Sequence, residues 1–174
     1  MTIRAITPTD TDGLAEFFAT LSERDLTFIR EDVTDRAAIA ALAEHELRWI
    51  DTADSRVLGY VAIERLPGWS HHVGELRLVV DPARRGTGLG RTLAQHALIG
   101  ALRSGIRKVV VELAADQEHA VAMFSGLGFT GEALLSDHIR DRDGHLHDLL
   151  VLAHHVEENW TAIEGAGIAD VVMS

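Results

Sequence analysis

Apolar and polar residues alternate over Thr2–Ile6, the period of a half-buried strand. Pro8 through Asp12 bring turn and cap chemistry. Leu14, Phe17, Phe18 and Leu21 then recur at i, i+3, i+4 and i+7, one face of a helix. Ser22–Arg36 is highly charged with few apolar positions and reads as a loop or broken helix, after which Ile39, Leu42 and Ala43 mark a second helical face. Leu47–Asp51, a polar TADSR turn and Val57–Ile63 predict a hairpin that ends at Pro67 and Gly68. Val73–Val80 predicts a strand, apolar at its C-terminal end as a buried central strand is. PARRGTGLG turns into a long helix carrying Leu89, Leu93, Ala97 and Ala101 every four residues, with Gly105 at its C-terminal end. Lys108–Leu113 is a β-branched strand, Glu118–Leu127 a short helix stopped by Gly128, and Ala133–Arg140 and His145–Ala153 flank a DRDG turn. The predicted order, β-α-α-β-β-β-α-β-α-β-β, is a mixed α/β sheet with helices packed on its faces. Residues 157–174 have weak periodicity and a Gly-rich middle and receive no element.

Composition narrows the possibilities. The 174 residues, 47% hydrophobic and 25% charged, suit one domain with a real core. No run of about 18 apolar residues predicts a membrane span, and MTIRAITPTDTD lacks the basic-then-apolar pattern of a secretory signal. The absence of cysteine excludes disulfides, a thiolate metal site and a cysteine nucleophile. It also removes any redox clue, which leaves a cytoplasmic location as the default expectation. With 27 acidic against 16 basic residues the net charge is −11, a poor match for nucleic acid and compatible with a cationic acceptor. The same surplus would serve solubility alone.

The most informative segment is Arg85-Gly86-Thr87-Gly88-Leu89-Gly90, between a buried strand and an amphipathic helix. Alternate glycines clear side chains from the backbone, and the N–H groups and positive dipole end of the following helix favour an anion. A pyrophosphate is the natural ligand, with Arg84, Arg85 and Arg91 beside it. No Lys follows the glycines, so this is not a P-loop, and the G-x-G-x-G spacing is not that of a dinucleotide fold.

VVDPARRGTGLGRTL resembles the coenzyme A motif of GNAT acetyltransferases, Q/R-x-x-G-x-G/A, matched by Arg85, Gly88 and Gly90. About 30 residues on, AVAMFSGLGF resembles the family's A-x-x-x-Y-x-x-x-G-F helix through Ala120, Gly128 and Phe129. The resemblance covers roughly residues 2–156 and implies a single GNAT domain over 1–156, followed by a tail at 157–174. It implies a mixed sheet of about seven strands flanked by about four helices, with Val73–Val80 and Lys108–Leu113 splayed apart midway to admit acetyl-CoA. It places the pyrophosphate on Arg85, Gly86, Thr87, Gly88, Leu89, Gly90 and Arg91, and pairs the pantetheine arm with the strand edge at Leu78, Val79 and Val80. Gln117 stands where the family often has a pantetheine-binding Asn. Phe124 stands where it commonly has a general-acid Tyr, and the chain's one tyrosine, Tyr60, is elsewhere.

An amine acceptor near pKa ~10.4 must lose a proton before it attacks a thioester. A carboxylate or His supplies that step directly or through water, and a strand N–H near Val79 or Val80 could stabilise the charge developing on the acyl oxygen. Glu75 is the preferred base. Some family members, notably bacterial protein lysine acetyltransferases, carry a glutamate on this strand about 10 residues before the loop arginine, and Glu75 stands 10 before Arg85. His71 and His72 are rivals. The segments Ser22–Arg36 and Pro67–His72 are expected on the acceptor side. The acceptor is read as a primary amine, a protein lysine ahead of a protein N-terminus or a small amine. A non-catalytic acyl-CoA sensor and a longer-chain acyltransferase stay open, as does monomer or homodimer. His145, His147 and Asp148 show no ligand cluster at a metal-like spacing, so no metal is expected.

Overall fold

The computed structural model describes residues 2–156. Its order is β1 (Thr2–Ala5), α1 (Thr11–Ala19), α2 (Glu23–Thr27), α3 (Arg36–Ala41), β2 (Arg48–Ala53), β3 (Arg56–Arg65), β4 (Val73–Val80), α4 (Leu89–Arg103), β5 (Lys108–Ala114), α5 (Glu118–Ser125), β6 (Thr130–Arg140) and β7 (Leu146–His155). The strands form one seven-stranded sheet in the order β1-β2-β3-β4-β5-β7-β6. Only β4 and β5 run parallel, as a strand–helix–strand crossover through α4 requires. Among the described residues no helix is long and apolar enough to cross a membrane. The proposed tail at 157–174 lies outside the described residues.

Two apolar clusters cover the two faces of the sheet. Leu14, Phe17 and Phe18 of α1 and Ile39 of α3 pack with Ile50, Tyr60 and Ala62 on one face. Leu93, Ala94, Ala97, Leu98 and Ala101 of α4 pack with Val61, Ile63, Leu76 and Val109 on the other. β3 lies inside both clusters and is buried from Val57 to Ile63. Close approach of α4 depends on Gly59, where a Cβ would come within 2.6 Å of Leu93 Cδ1.

Among the described residues five α-helices form where the periodicity predicts about four. The extra one, α2, is a single turn within the charged segment, nucleated by Ser22: its hydroxyl accepts from Asp25 N at 3.2 Å while Asp25 accepts from Ser22 N at 3.1 Å. A second difference concerns the C-terminal half of β4. Its residues are half-buried rather than enclosed, because no strand lies beside them on one edge.

β7 places His154 in the core, 1% exposed, with its ring 5.2 Å from that of Phe129. Burial, helped by His155, holds its pKa below the ordinary histidine value. The folded state therefore resists a proton that the unfolded chain accepts, so stability is lost as pH falls below about 6.5. His96, lowered mainly by burial, adds in the same direction. Between pH 7.5 and 5.5 the wild-type Tm should fall by at least about 2 °C more than that of His154→Phe. Parallel melting curves at both pH values would remove His154 as the cause.

Candidate active site

β4 and β5 pair only at Val73–Glu75 with Lys108–Val110. Beyond Glu75 they diverge, and the gap holds a cleft of about 440 Å³. Glu75, Arg77, Leu78 and Val79 form one wall, and Val111–Ala114, Gln117 and Phe124 form the other.

The register fixes which backbone groups face the gap. Asp81 N–H donates to Leu58 O and Leu66 N–H to Val73 O, each at 2.9 Å, at the two ends of the β3–β4 pairing. Antiparallel alternation then directs the backbone of Glu75, Arg77 and Val79 to β3 and that of Leu76, Leu78 and Val80 to the gap. Of the three residues assigned to pantetheine, Leu78 and Val80 thus offer an open edge, while Val79 offers its side chain.

At the mouth, Asp81 Oδ1 accepts from Ala83 N at 2.8 Å and Thr87 Oγ1 donates to Arg84 O at 2.6 Å, which shapes the turn. Gly86 (φ 76°) and Gly88 (φ 89°) occupy the left-handed region. Gly88 leads into α4 with no side chain capping the first turn, so the N–H groups there, around Leu89, Gly90 and Arg91, lack intrahelical acceptors. A Cβ at Gly86 or Gly88 would meet nothing within 4 Å. Open space over uncapped N–H groups fits an anion such as pyrophosphate. Gly90 is tight instead: a Cβ there would lie 3.4 Å from Met123 Sδ and Val80 Cγ2. The arginines differ from expectation in their partners. Arg91 donates to Gly126 O at 3.2 Å, tying α4 to α5. Arg85 pairs with Asp25 of α2 at 2.8 Å.

That pair is one of several through which α2 spans the gap. Arg24 reaches Asp116 at 3.1 Å after β5, and Glu23 reaches Arg142 at 2.6 Å in the β6–β7 turn. Exposed pairs of this kind contribute about 0–1 kcal/mol each, so α2 is a lightly held strap and Arg85 remains available to a stronger anion.

Below the strap lies a chain of charges. Glu75 Oε1 takes Arg77 Nε at 3.2 Å and has Arg30 Nε at 3.5 Å. Arg30 also bonds Glu112, and Arg77 bonds Glu31 at 2.5 Å. Buried Arg48 bonds Glu64 at 2.5 Å and donates to Tyr60 Oη at 2.8 Å, with Glu31 at 4.0 Å. Sequence reasoning missed this network, whose local sign was Phe28 and Ile29 within a charged run. Thr27–Glu31 does line the cleft; Pro67–His72 does not. His71 and His72 are exposed and are not among the residues that line the cleft, their carbonyls accepting from Arg65 and from the N–H groups of Arg107 and Lys108.

Gln117 lines the cleft and accepts from Ala114 N through Oε1 at 2.9 Å, leaving its amide N–H₂ for a ligand. Phe124 is 2% exposed, edge-on to Phe129 at 5.1 Å, with no proton to give. Tyr60 also lines the cleft, but burial chiefly pushes its pKa up to about 12, with Arg48 opposing. It is a weak acid and does not replace the absent phenol. Asp141, Asp143 and His145 place ligand atoms within 4.8 Å of one another. Asp141 Oδ1 there accepts the N–H groups of Asp143 and His145, which is turn chemistry.

A split sheet with uncapped helix N–H groups at its mouth and a charged wall beside the split can accommodate a phosphate-bearing ligand. Residues 14–129, more than half of the chain, match the model of the acetyltransferase (GNAT) family. The chain is 31% identical to the N-alpha-acetyltransferase RimI of Mycobacterium tuberculosis over 134 residues, 74% of this chain and 78% of that one. It is 44% identical over 59 residues to the mycothiol acetyltransferase of Catenulispora acidiphila, a match to 33% of this chain but only about a fifth (19%) of that protein's length. The fold matches yncA of Salmonella typhimurium, solved with its cofactor acetyl-CoA, with a TM-score of 0.79 and 21% identity over 89% of this chain and 93% of that chain. The chain belongs to the acetyltransferase (GNAT) family, whose members transfer acetyl groups from acetyl-CoA.

Proposed function

We propose that this cleft transfers the acetyl group of acetyl-CoA to the nitrogen of a primary amine, with Glu75 taking the amine proton directly or through a water it holds. Bound acetyl-CoA supplies the thioester carbon that the amine attacks. The α4 N-terminus with Gly86–Arg91 would hold the pyrophosphate, and Leu78, Val80 and Gln117 the arm. The observation that carries the role of Glu75 is its position as the last β4 residue paired with β5. Its carboxylate stands where the sheet splits and is fixed from two sides by arginines. Phe124 leaves the coenzyme A thiolate to be protonated by water.

Protein lysines, protein N-termini and small amines all present the required group. The name of the RimI relative favours an α-amine over a side-chain amine, and that of the mycothiol acetyltransferase favours a small molecule. The test is thiol release from acetyl-CoA with a panel of small amines, amino acids, N-terminal peptides and lysine peptides. Acetylation of at least one amine, identified by mass, is the expected result. Binding of acetyl-CoA with no amine turned over would leave a sensor in place of an enzyme.

A further inference from the structure

The charges lining the cleft are unevenly placed. The network that joins the β4 wall to Glu112 of β5 has three arginines, Arg30, Arg48 and Arg77, against four carboxylates, Glu31, Glu64, Glu75 and Glu112. It carries one negative charge in surplus, and every carboxylate in it already has at least one guanidinium partner. Across the gap, β6 brings His138 and Arg140 to the cleft lining. Among the described residues Arg140 makes no ion pair, and it is exposed.

A feature of the backbone puts Arg140 there. The β6–β7 register jumps between Leu135 and Ile139. Within the jump Asp137 adopts φ 52°, unusual for a residue with a side chain, and its N–H is held by Asp148 Oδ1 at 2.9 Å. Bulges of this kind bend a strand and re-aim its side chains, and they concentrate beside active sites. Here His138, Ile139 and Arg140, at and just after the bulge, line the cleft.

We infer that the acceptor is a zwitterion, a small molecule carrying an anionic group beside its amine, as a free amino acid does, with Arg140 holding the anion while the amine faces Glu75. This rests on the acetyl-transfer reading of the same cleft. An ammonium entering beside Glu75 meets a network that carries one negative charge in surplus. A carboxylate approaching β6 meets a planar guanidinium able to grip both its oxygens. A polyamine or a lysine in a basic peptide would set a second cation against Arg140. The spare donors of Arg30 and Arg77, whose forks are each only partly used, can share the anion.

The test uses the intact chain with saturating acetyl-CoA and thiol release as the readout. The twenty free amino acids are assayed, and the best is compared with its carboxamide and its decarboxylated amine. The amino acid should exceed both in kcat/KM by at least about 10-fold, the lower range of one charge-assisted contact. Arg140→Gln should raise KM for the amino acid by a similar factor with little change in kcat, and leave KM for the carboxamide unchanged. Equal turnover of acid and carboxamide, a preference for spermidine or a lysine peptide, or an equal effect of Arg140→Gln on acid and carboxamide would each overturn the inference. If acetyl-CoA binds but no amine is turned over, the acetyl-transfer reading fails first. Calorimetry of the same amino acids on the coenzyme A-loaded chain then decides separately. Binding that Arg140→Gln abolishes upholds the zwitterion site, and absence of binding overturns it.

Discussion

Glu75→Gln should lower kcat/KM by about 10²-fold or more, the scale of losing a general base. The substitution nearly preserves shape. The amide oxygen can still accept from Arg77, and Arg30 and Arg77 retain Glu112 and Glu31 as partners. The sheet should therefore stay folded, and the measured loss should lie in kcat with acetyl-CoA affinity within about twofold. Calorimetry and a steady-state assay on the same preparation separate the two. Full activity in Glu75→Gln would move the proton to another group. The candidates are then the other titratable groups of the cleft lining, Glu31, Glu112 and His138, rather than His71 or His72, which do not line it. A further expectation distinguishes proton transfer from charge attraction. If Glu75 acts only by attracting a cationic amine, Glu75→Gln raises KM and spares kcat.

The strand and helix order was legible because each long element has a clean period. Val73–Val80 came out with its observed bounds, since an apolar run there begins after a histidine pair and ends at Asp81-Pro82. The glycine turn into α4 was legible because its signal is local: Gly86, Gly88 and Gly90 and the helix they start lie within a few residues. The charged network of the cleft was not, for a physical reason. Arg30 meets Glu112 across 82 residues and Arg77 meets Glu31 across 46, so nothing near Arg30 or Glu31 in sequence reveals their partners. The segment holding α2 reads as a loop or broken helix because one turn has too few positions to show a period, and its cap signal is Ser22 with an Asp, not the usual Glu, at the third helical position. The β6 bulge was invisible because Asp137 owes its conformation to Asp148 on the neighbouring strand. The net charge of −11 is compatible with a cationic acceptor and with solubility alone, and it does not reveal that the cleft pairs its carboxylates with arginines. Global charge describes the surface and not the site.

Gly88→Val should weaken acetyl-CoA binding by more than about 10-fold and abolish turnover at ordinary cofactor concentrations. Two effects act together. A β-branched residue is a genuine outlier at φ 89°, so the substitution would pull the turn toward negative φ and turn the first-turn N–H groups away from their common focus. If the turn held its shape, the new side chain would stand in the open space over the cradle, where a Cβ meets no protein atom and a phosphate would need to sit. Backbone strain of this kind costs of order 1–3 kcal/mol, and part of it would appear as a lower Tm. Gly88→Ala separates the causes, since it carries most of the φ penalty with a much smaller side chain. Affinity falling in the order Gly, Ala, Val, with Tm similar for Ala and Val, would assign the larger share to the blocked cradle. Unchanged acetyl-CoA affinity in Gly88→Val would show that the anion binds elsewhere. The role of Arg85 can be read in the same titrations. Asp25→Asn releases Arg85 from its partner in the strap and should tighten acetyl-CoA binding, because the pyrophosphate no longer competes with a carboxylate for that guanidinium.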